Sequence, residues 1–194
     1  MDKNYKRIVD FLFEASALKR VGRTGLEILG VEKENVAEHS WHATIIGYVL
    51  SNLAQADSQK VVMMLTFHDL PEVRMGDIHK LQGKYVERNE EKALEDQYQN
   101  LPFADDIKEL FVEYRKNETM EAKIAHDADI LSLLVLLKEK SDKGNKQADL
   151  WFQGNKDRLR TEEAKALAEV ILTTDSQDWW NEVRTKLHSE YKKG

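Results

Sequence analysis

The stretch "VVMMLTFHDLPEV" (Val61–Val73) places a histidine and an aspartate shortly after a run of apolar residues and two positions before a proline. Such an apolar run is typical of a buried segment. Proline disfavours helical geometry at the residue before it, so a helix through this run should end at His68–Asp69. Burying these two polar groups costs free energy unless they have partners. The pattern therefore predicts a core helix that ends on a functional pair.

The rest of the chain is typical of an all-α protein. Among its 194 residues are 2 Pro and 9 Gly, and no segment shows sustained alternation of apolar and polar residues. The pattern predicts helices near the ranges 2–18, 36–54, 59–69, 72–76, 87–99, 104–116, 119–140, 161–173 and 177–191. The helix near 119–140 has little polar face and should be buried on most sides, although it carries Asp127 and Asp129.

The domain organisation is predicted to be simple. We expect one helical domain over residues 1–194, with the motifs between about 10 and 140 and the C-terminal helices at 161–191 packed on that core. The polar segment 141–160, which contains Trp151 and Phe152, is interpreted as an irregular loop pinned by its aromatic residues.

Composition and charge exclude several classes of function. A net charge of −6, spread over both signs, argues against a nucleic-acid partner bound through phosphate neutralisation. The absence of cysteine excludes disulfides, thiolate metal sites and a cysteine nucleophile, so His, Asp or Glu must hold any metal. The longest apolar stretch, 130–137, is too short to span a bilayer, and no signal-peptide core follows the N-terminus. We therefore expect a cytoplasmic protein without a membrane partner.

Ionisable residues recur in four short segments: "AEHSWH" (37–42), "HDLPE" (68–72), "GDIHK" (76–80) and "AHDAD" (125–129). On one interpretation, three helices bring four of these side chains to a single divalent cation: His39, His68, Asp69 and Asp129. The side chains of adjacent residues in the middle of a helix point about 100° apart and cannot easily bind one ion. At a helix end, where His68 and Asp69 are expected, the backbone can turn and both side chains can reach it. The partial negative charge at a helix C-terminus also favours a cation there.

The mixed donor set favours a transition metal. Imidazole and carboxylate ligands suit Mn, Fe, Co, Ni or Zn better than Ca, and Mg is also allowed. Four ligands on an octahedral ion leave two positions for water or substrate, as metal-assisted hydrolysis requires. The alternative stays open on spacing alone. A histidine on an apolar helix face is more often a hydrogen-bonded core residue, and His39 and His42 can pair with each other.

Taken together, the pattern "EHS…HDLPEVRMGDI…AHDAD" resembles the HD-domain phosphohydrolases. The segment "LKRVGRTG" (18–25) extends the resemblance to the bacterial 5'-deoxynucleotidases and their eukaryotic HD-domain-containing relatives. The similarity covers roughly residues 10–140 in the same order, and the C-terminal third carries no motif of the family. The resemblance implies an HD-domain helical bundle.

The resemblance also implies a ligand for each metal position. His39 is the first ligand, His68 and Asp69 are the pair that characterises the family, and Asp129 is the last ligand. Asp127 stands where the family usually has glutamine. Asp127 is therefore the second candidate for the last ligand. Its alternative role is to support the ligands from behind without binding the metal itself.

Further residues correspond to the substrate site of the family. The resemblance implies that Glu72 acts on water or the leaving oxygen, that Asp77 contacts the sugar or assists at the site, and that Arg20 lies near the phosphate or sugar. Val21 stands where some bacterial members have a tryptophan that shapes the sugar pocket, which leaves the selectivity for deoxyribose open.

The residues themselves allow two interpretations of this region. Arg20 and Arg23 can supply the positive charge that a phosphate needs, and His79 and Lys80 are weaker candidates for the same role. Without the resemblance, "KRVGR" is also typical of a solvated basic turn. Glu72 is likewise typical of a first helical turn, where the helix dipole favours a carboxylate.

The sequence thus predicts a metal-dependent phosphomonoesterase that hydrolyses (deoxy)nucleoside 5'-monophosphates to nucleoside and phosphate. Two alternatives remain: an HD-type phosphodiesterase or (p)ppGpp-like pyrophosphohydrolase, and a non-catalytic nucleotide-binding or scaffold protein. The partner is expected to be a small nucleotide. Surplus aromatic residues in the C-terminal third, such as Trp179 and Trp180, favour a homodimer.

Overall fold

The computed structural model describes residues 4–31 and 34–191. Residues 1–3, where the first predicted helix begins, lie outside these ranges. The α-helices of the described ranges are α1 (Tyr5–Ser16), α2 (Thr24–Leu29), α3 (Val36–Leu53), α4 (Ser58–Phe67), α5 (Glu72–Met75), α6 (Glu90–Tyr98), α7 (Ala104–Lys116), α8 (Met120–Asp142), α9 (Lys146–Lys156), α10 (Glu162–Thr173) and α11 (Asp178–Tyr191). Short 3₁₀ helices span Ala17–Arg20 and Gln82–Lys84. The predicted all-α class is confirmed.

Helix α8 is the centre of the bundle. Its N-cap Thr119 accepts a hydrogen bond from the Ala122 amide, as helix-capping threonines do. Its buried side chains include Ile124, Leu131 and Leu134, and it packs against α3, α4, α7, α9 and α10. The prediction of a helix buried on most sides is therefore confirmed.

Helices α3 and α4 approach each other closely at Gly47. A β-carbon built on Gly47 would lie 2.2 Å from Cδ1 of Leu65 and 3.0 Å from Cγ1 of Val61. A larger residue would fit this crossing only if the side chains of Leu65 and Val61 moved. The close approach brings the end of α4 towards the first turns of α3, where one of the candidate ligands lies.

The prediction of an irregular loop over 141–160 is wrong, because α9 occupies most of that segment. The turn before the helix contains Gly144, with φ +94°, and Asn145, whose side chain caps α9. Helix α9 is then held by two buried residues four positions apart, Ala148 and Phe152, which pack against the core.

A second group of core residues lies beside this bundle, where α1, α6 and α7 meet. Phe11 contacts Tyr98 and Phe103 with ring centroids 5.5 and 5.7 Å apart. By contrast, α11 has no buried residue among those described, and Trp179 is 84% exposed. Within the described ranges no helix has both the length and the apolar character that crossing a membrane requires.

Candidate metal centre and adjoining cleft

His39 reaches the centre from the first turn of α3. The helix begins with a capping box, in which the Asn35 side chain accepts from the Glu38 amide and the Glu38 carboxylate accepts from the Asn35 amide, both at 3.0 Å. His39 follows directly and is fully buried. Its Nε2 lies 2.8 Å from Oδ1 of Asp129 on α8. The capping box thus fixes the backbone of the first turn as far as Glu38, the residue that precedes His39.

His68 and Asp69 lie at the break that the proline predicts, since α4 ends at Phe67. Nδ1 of His68 donates to the Leu65 carbonyl at 2.8 Å, which leaves Nε2 as the free ring nitrogen. Nε2 lies 3.2 Å from Oδ2 of Asp69 without hydrogen-bond geometry. The turn continues when the Glu72 amide donates to the Asp69 carbonyl at 3.0 Å. Two consecutive side chains therefore face the same space.

The four predicted ligands lie together. The donor atoms of His39, His68 and Asp129 fall within 4.8 Å of one another. Oδ2 of Asp69 completes the group at 3.8 Å from Nε2 of His39. Two imidazoles and two carboxylates form a donor set that fits a divalent metal, and the buried Nε2 of His68 has no hydrogen-bond partner among the described residues. The chain thus has a candidate His/Asp metal site.

The charges of this group are strongly coupled. Burial alone would lower the pKa of His68, but the neighbouring Asp69 carboxylate raises that pKa to about 9. Burial opposes the charged form of Asp129 as well, yet its bond to His39 and the positive charges nearby hold the pKa of this carboxyl well below its usual range. In the absence of a metal, the proton on His68 partly compensates the two carboxylates.

Glu72 opens α5 one turn after the pair. Its Oε2 is buried and has no hydrogen-bond partner among the described residues. Burial, together with the charges of Asp69 and Asp77, raises the pKa of Glu72 to about 9. In the metal-free protein the side chain is thus a carboxyl group that holds its proton at neutral pH beside the candidate ligands.

Asp77 holds the loop that carries the second arginine of "KRVGR". Its Oδ2 accepts from the Thr24 amide at 2.6 Å, and its carbonyl accepts from Oγ1 of Thr24 at 2.9 Å. Arg23 precedes Thr24 and is half-buried. The carboxylates of Asp129 and Asp69 outweigh the effect of burial and raise the pKa of the Arg23 guanidinium. Among the described residues Arg23 forms no ion pair within 4 Å, and its guanidinium lies in the electrostatic field of Asp129 and Asp69.

The other residues of this segment lie differently. Arg20 ends a 3₁₀ helix and is exposed. Val21 is half-buried, and its carbonyl accepts from the Val36 amide at 2.9 Å, which ties the loop to the start of α3. His79 and Lys80 lie on the wall of a cleft that Arg23 also lines. Arg23 thus lines the cleft within the electrostatic field of the candidate ligands, whereas Arg20 is exposed.

Asp127 is directed away from the candidate ligands. Its carboxylate accepts from the Arg160 amide at 3.0 Å and from the amide and hydroxyl of Thr161, both at 2.7 Å. These bonds fix the N-terminus of α10. The two remaining histidines of this region bond to protein groups, His42 to Ser132 and His126 to the Tyr114 carbonyl.

A cleft of about 540 Å³ lies beside Arg23, and none of the four candidate ligands is among its described lining residues. Arg23 and Asp77 lie on one wall of it, and residues of α8, α9 and the segment after α9 form much of the rest, among them Leu133, Trp151 and Arg158. Sequence patterns do not reveal the residues of α9, because its polar segment is typical of a loop. The aromatic pair Trp151–Phe152 is the one local sign of these residues.

Comparison with known proteins identifies the family. A family model described as HD domain matches residues 15–171. The chain belongs to the HD domain family. It is similar to the 5'-deoxynucleotidase hdd1 of Schizosaccharomyces pombe, with 32% identity over 155 residues that cover 74% of this chain and 77% of the relative. It is also similar to the 5'-deoxynucleotidase HDDC2 of Bos taurus, with 28% identity over 75% of this chain and 73% of the relative.

Solved structures share the HD domain architecture. The PH0347 protein from Pyrococcus horikoshii superposes with a TM-score of 0.70 and 26% identity, over 84% of this chain and 95% of that one. A conserved hypothetical protein from Pyrococcus furiosus gives a TM-score of 0.69 with 30% identity, over 84% and 96% of the two chains. The likeness therefore extends over most of the bundle.

Proposed function

We propose that this HD domain protein is a metal-dependent phosphomonoesterase that hydrolyses (deoxy)nucleoside 5'-monophosphates to nucleoside and phosphate. The observation that carries the proposal is the convergence of His39, His68, Asp69 and Asp129 beside an arginine and a buried carboxyl group. Relatives that are similar over three quarters of the chain are named 5'-deoxynucleotidases, and this supports the substrate class.

Four side chains would hold one divalent ion: His39, His68, Asp69 and Asp129. Their oxygen and nitrogen donors favour Mn, Co, Fe, Ni or Zn, and Mg is a further candidate. A divalent metal in such a site supplies Lewis-acid polarisation of the phosphate and lowers the pKa of a water. His68 is prepared for this role because its bond to the Leu65 carbonyl fixes the ring and directs Nε2 to the centre.

Arg23 would position the phosphate. Its guanidinium is a planar, permanently charged donor that can bind two phosphate oxygens at once. Arg23 lines the cleft and lies in the field of Asp69 and Asp129, so a phosphate bound between the metal and the guanidinium would be held from two sides. Arg20 is exposed, and we assign it a lesser part in steering the anion.

Glu72 would move the proton. Phosphate release leaves a 5'-oxygen that must be protonated, and a buried carboxyl group that keeps its proton at neutral pH is suited to donate it. Asp77 would act mainly through the backbone, because its carboxylate holds the Arg23–Thr24 turn in place. His79 and Lys80 remain candidates for contacts further along the cleft.

The test is a substrate panel with metal reconstitution. The purified protein, loaded with Mn or Co, should release phosphate from 2'-deoxynucleoside and ribonucleoside 5'-monophosphates, and the panel should include phosphodiesters and (p)ppGpp. His68→Ala and Asp69→Ala should abolish the release. Asp127→Asn is the matched control, since Asp127 is an acid of the same motif that points away from the centre. Full activity in both of the first two variants would contradict the ligand assignment.

We also propose that the protein is a homodimer. The outer face of α3 exposes Trp41, Ile45, Tyr48 and Leu53, and residues 39–53 contain no Asp, Glu, Lys or Arg. An uncharged apolar face can pack against its own copy across a two-fold axis without bringing like charges together. Light scattering should give twice the chain mass, and Tyr48→Lys should reduce it to the monomer. A monomeric wild-type protein at micromolar concentration would contradict the proposal.

A further inference from the structure

We propose that the cleft beside Arg23 binds the nucleoside part of the substrate and that Trp151 of α9 is the surface on which the base stacks. This inference rests on the proposed function and assigns a specificity-determining role to a helix outside the metal motifs. It is carried by three features of the cleft: its position, its apolar wall and its charge.

The position of the cleft suits a leaving nucleoside. Arg23 lines the cleft and also lies in the electrostatic field of Asp69 and Asp129. A phosphate bound by Arg23 would therefore lie at the edge of the cleft, which leaves the cleft itself for the ester substituent. A volume of about 540 Å³ lies within the range of small-molecule sites. Another wall is α9, and a nucleoside that extends from Arg23 would reach it.

The apolar part of the wall suits a planar base. It is formed by Leu26, Ile28, Leu133, Leu150 and Trp151. Trp151 is half-buried and packs against the main core, and its carbonyl accepts from the Asn155 side chain at 2.8 Å. The indole is therefore held on the scaffold, and rigid aromatic rings are the usual platforms on which bases stack.

The charged part of the wall suits an anion. Arg23, Lys80 and Arg158 line the cleft, whereas Asp77 is the single acid among its described lining residues and is already bonded to Thr24. Arg158 is oriented by a 2.9 Å bond from its guanidinium to Oδ1 of Asn155. This excess of positive charge occurs in a chain whose net charge is −6. A ligand that combines an anion with a flat apolar group satisfies both parts of the wall, and a nucleotide is such a ligand.

Direct binding tests the site without turnover. The probes are 2'-deoxyadenosine and 2'-deoxycytidine, added to the metal-free protein while tryptophan fluorescence is recorded. We expect saturable quenching in the wild type and in the matched control Trp179→Phe, whose ring is exposed on α11. Trp151→Phe should lose most of the quenching. The same quenching in Trp151→Phe as in the wild type, or none in any protein, would overturn the proposal.

Kinetics then separate stacking from a structural role. Trp151→Leu should raise KM for 2'-deoxynucleoside 5'-monophosphates by about tenfold or more, and Trp151→Phe should restore most of it. Neither variant should change the kinetics with 2-deoxyribose 5-phosphate, the same ester without a base. An equal loss on both substrates, or an unchanged KM for nucleotides, would contradict the proposal. If nucleosides bind as expected but no nucleotide is hydrolysed, the base site stands and the proposed activity fails.

Discussion

At the scale of single residues, His68 shows how one hydrogen bond prepares a ring for a metal. The Leu65 carbonyl occupies Nδ1, and the remaining ring nitrogen is directed at Asp69. Without a metal, that nitrogen carries a proton beside the carboxylate, and the pKa of His68 rises to about 9. Metal binding must therefore displace the proton of His68 at every pH near neutrality.

This competition predicts that metal affinity depends on pH. Below about pH 9 His68 carries a proton in the metal-free protein, so each unit of pH between about 6 and 8 should tighten Mn²⁺ binding by up to about tenfold. Calorimetric titration in buffers of different ionisation enthalpy should also show the release of about one proton. An affinity that stays constant over this range of pH would contradict the assignment of His68 as a ligand.

Glu72 gives a second prediction at this scale, in the metal-free protein. The folded state keeps its proton up to about pH 9, whereas the unfolded chain releases it near 4.5. Between these values the folded state binds more protons, so stability falls as pH rises. The unfolding free energy of the wild type should fall relative to Glu72→Gln by up to about 1.4 kcal/mol per pH unit over this window. Urea titrations in chelator at about pH 5 and 8 test this, and parallel pH profiles of the two proteins would refute it.

At the scale of elements, α8 uses two aspartates for two different purposes. Asp127 and Asp129 are two residues apart, and at about 100° per residue they point to nearly opposite sides of the helix. Asp129 faces His39, and Asp127 holds the start of α10. One helix thus connects the centre to the packing of the C-terminal part of the HD domain.

Substituting each aspartate should separate the two roles. Asp127→Asn replaces a buried acceptor of three bonds, so we expect a loss of about 2 kcal/mol in unfolding free energy with metal affinity unchanged. Asp129→Asn should weaken Mn²⁺ binding, because it removes one of the two carboxylates from the centre. Denaturation and metal titration of both variants check this. An equal effect of the two changes on metal affinity would oppose it.

The close crossing of α3 and α4 predicts that alanine has opposite effects on stability at two helical glycines, Gly47 and Gly154. In an exposed helix Gly→Ala stabilises by about 1 kcal/mol. A β-carbon placed on Gly154 in α9 would meet no described atom within 4 Å, so Gly154→Ala should follow that rule. Gly47→Ala should instead destabilise by about 1–3 kcal/mol, because the new methyl group overlaps Leu65. Thermal denaturation of the pair measures the difference, and stabilisation by both substitutions would show that α3 and α4 are less closely packed.

At the scale of the whole molecule, the fold gathers ligands that lie far apart in the sequence. His39 and Asp129 are separated by 90 residues and meet because α3 packs along α8. The local patterns predict the helical class, since helix ends and apolar faces are local properties. They leave the clustering of the ligands as one of two interpretations, and the resemblance to the HD-domain family is what favours it.

Other parts depend on tertiary contacts and were not predictable from local pattern. Helix α9 has a polar sequence, and its helical state rests on the burial of Ala148 and Phe152 against the core. The placement of Arg23 depends on the neighbouring turn at Thr24, which Asp77 holds from 53 residues away. The cleft depends on both of these tertiary contacts, because α9 forms one of its walls and Arg23 lies on another.

The most direct test of the account is phosphate release by the metal-stripped protein during titration with Mn²⁺, with a 2'-deoxynucleoside 5'-monophosphate as substrate. The account predicts no release without metal, activity that rises to a plateau at about one equivalent per chain, and no response to Mn²⁺ in His68→Ala. Undiminished release in the presence of a strong chelator, or a titration that is the same in His68→Ala, would contradict it.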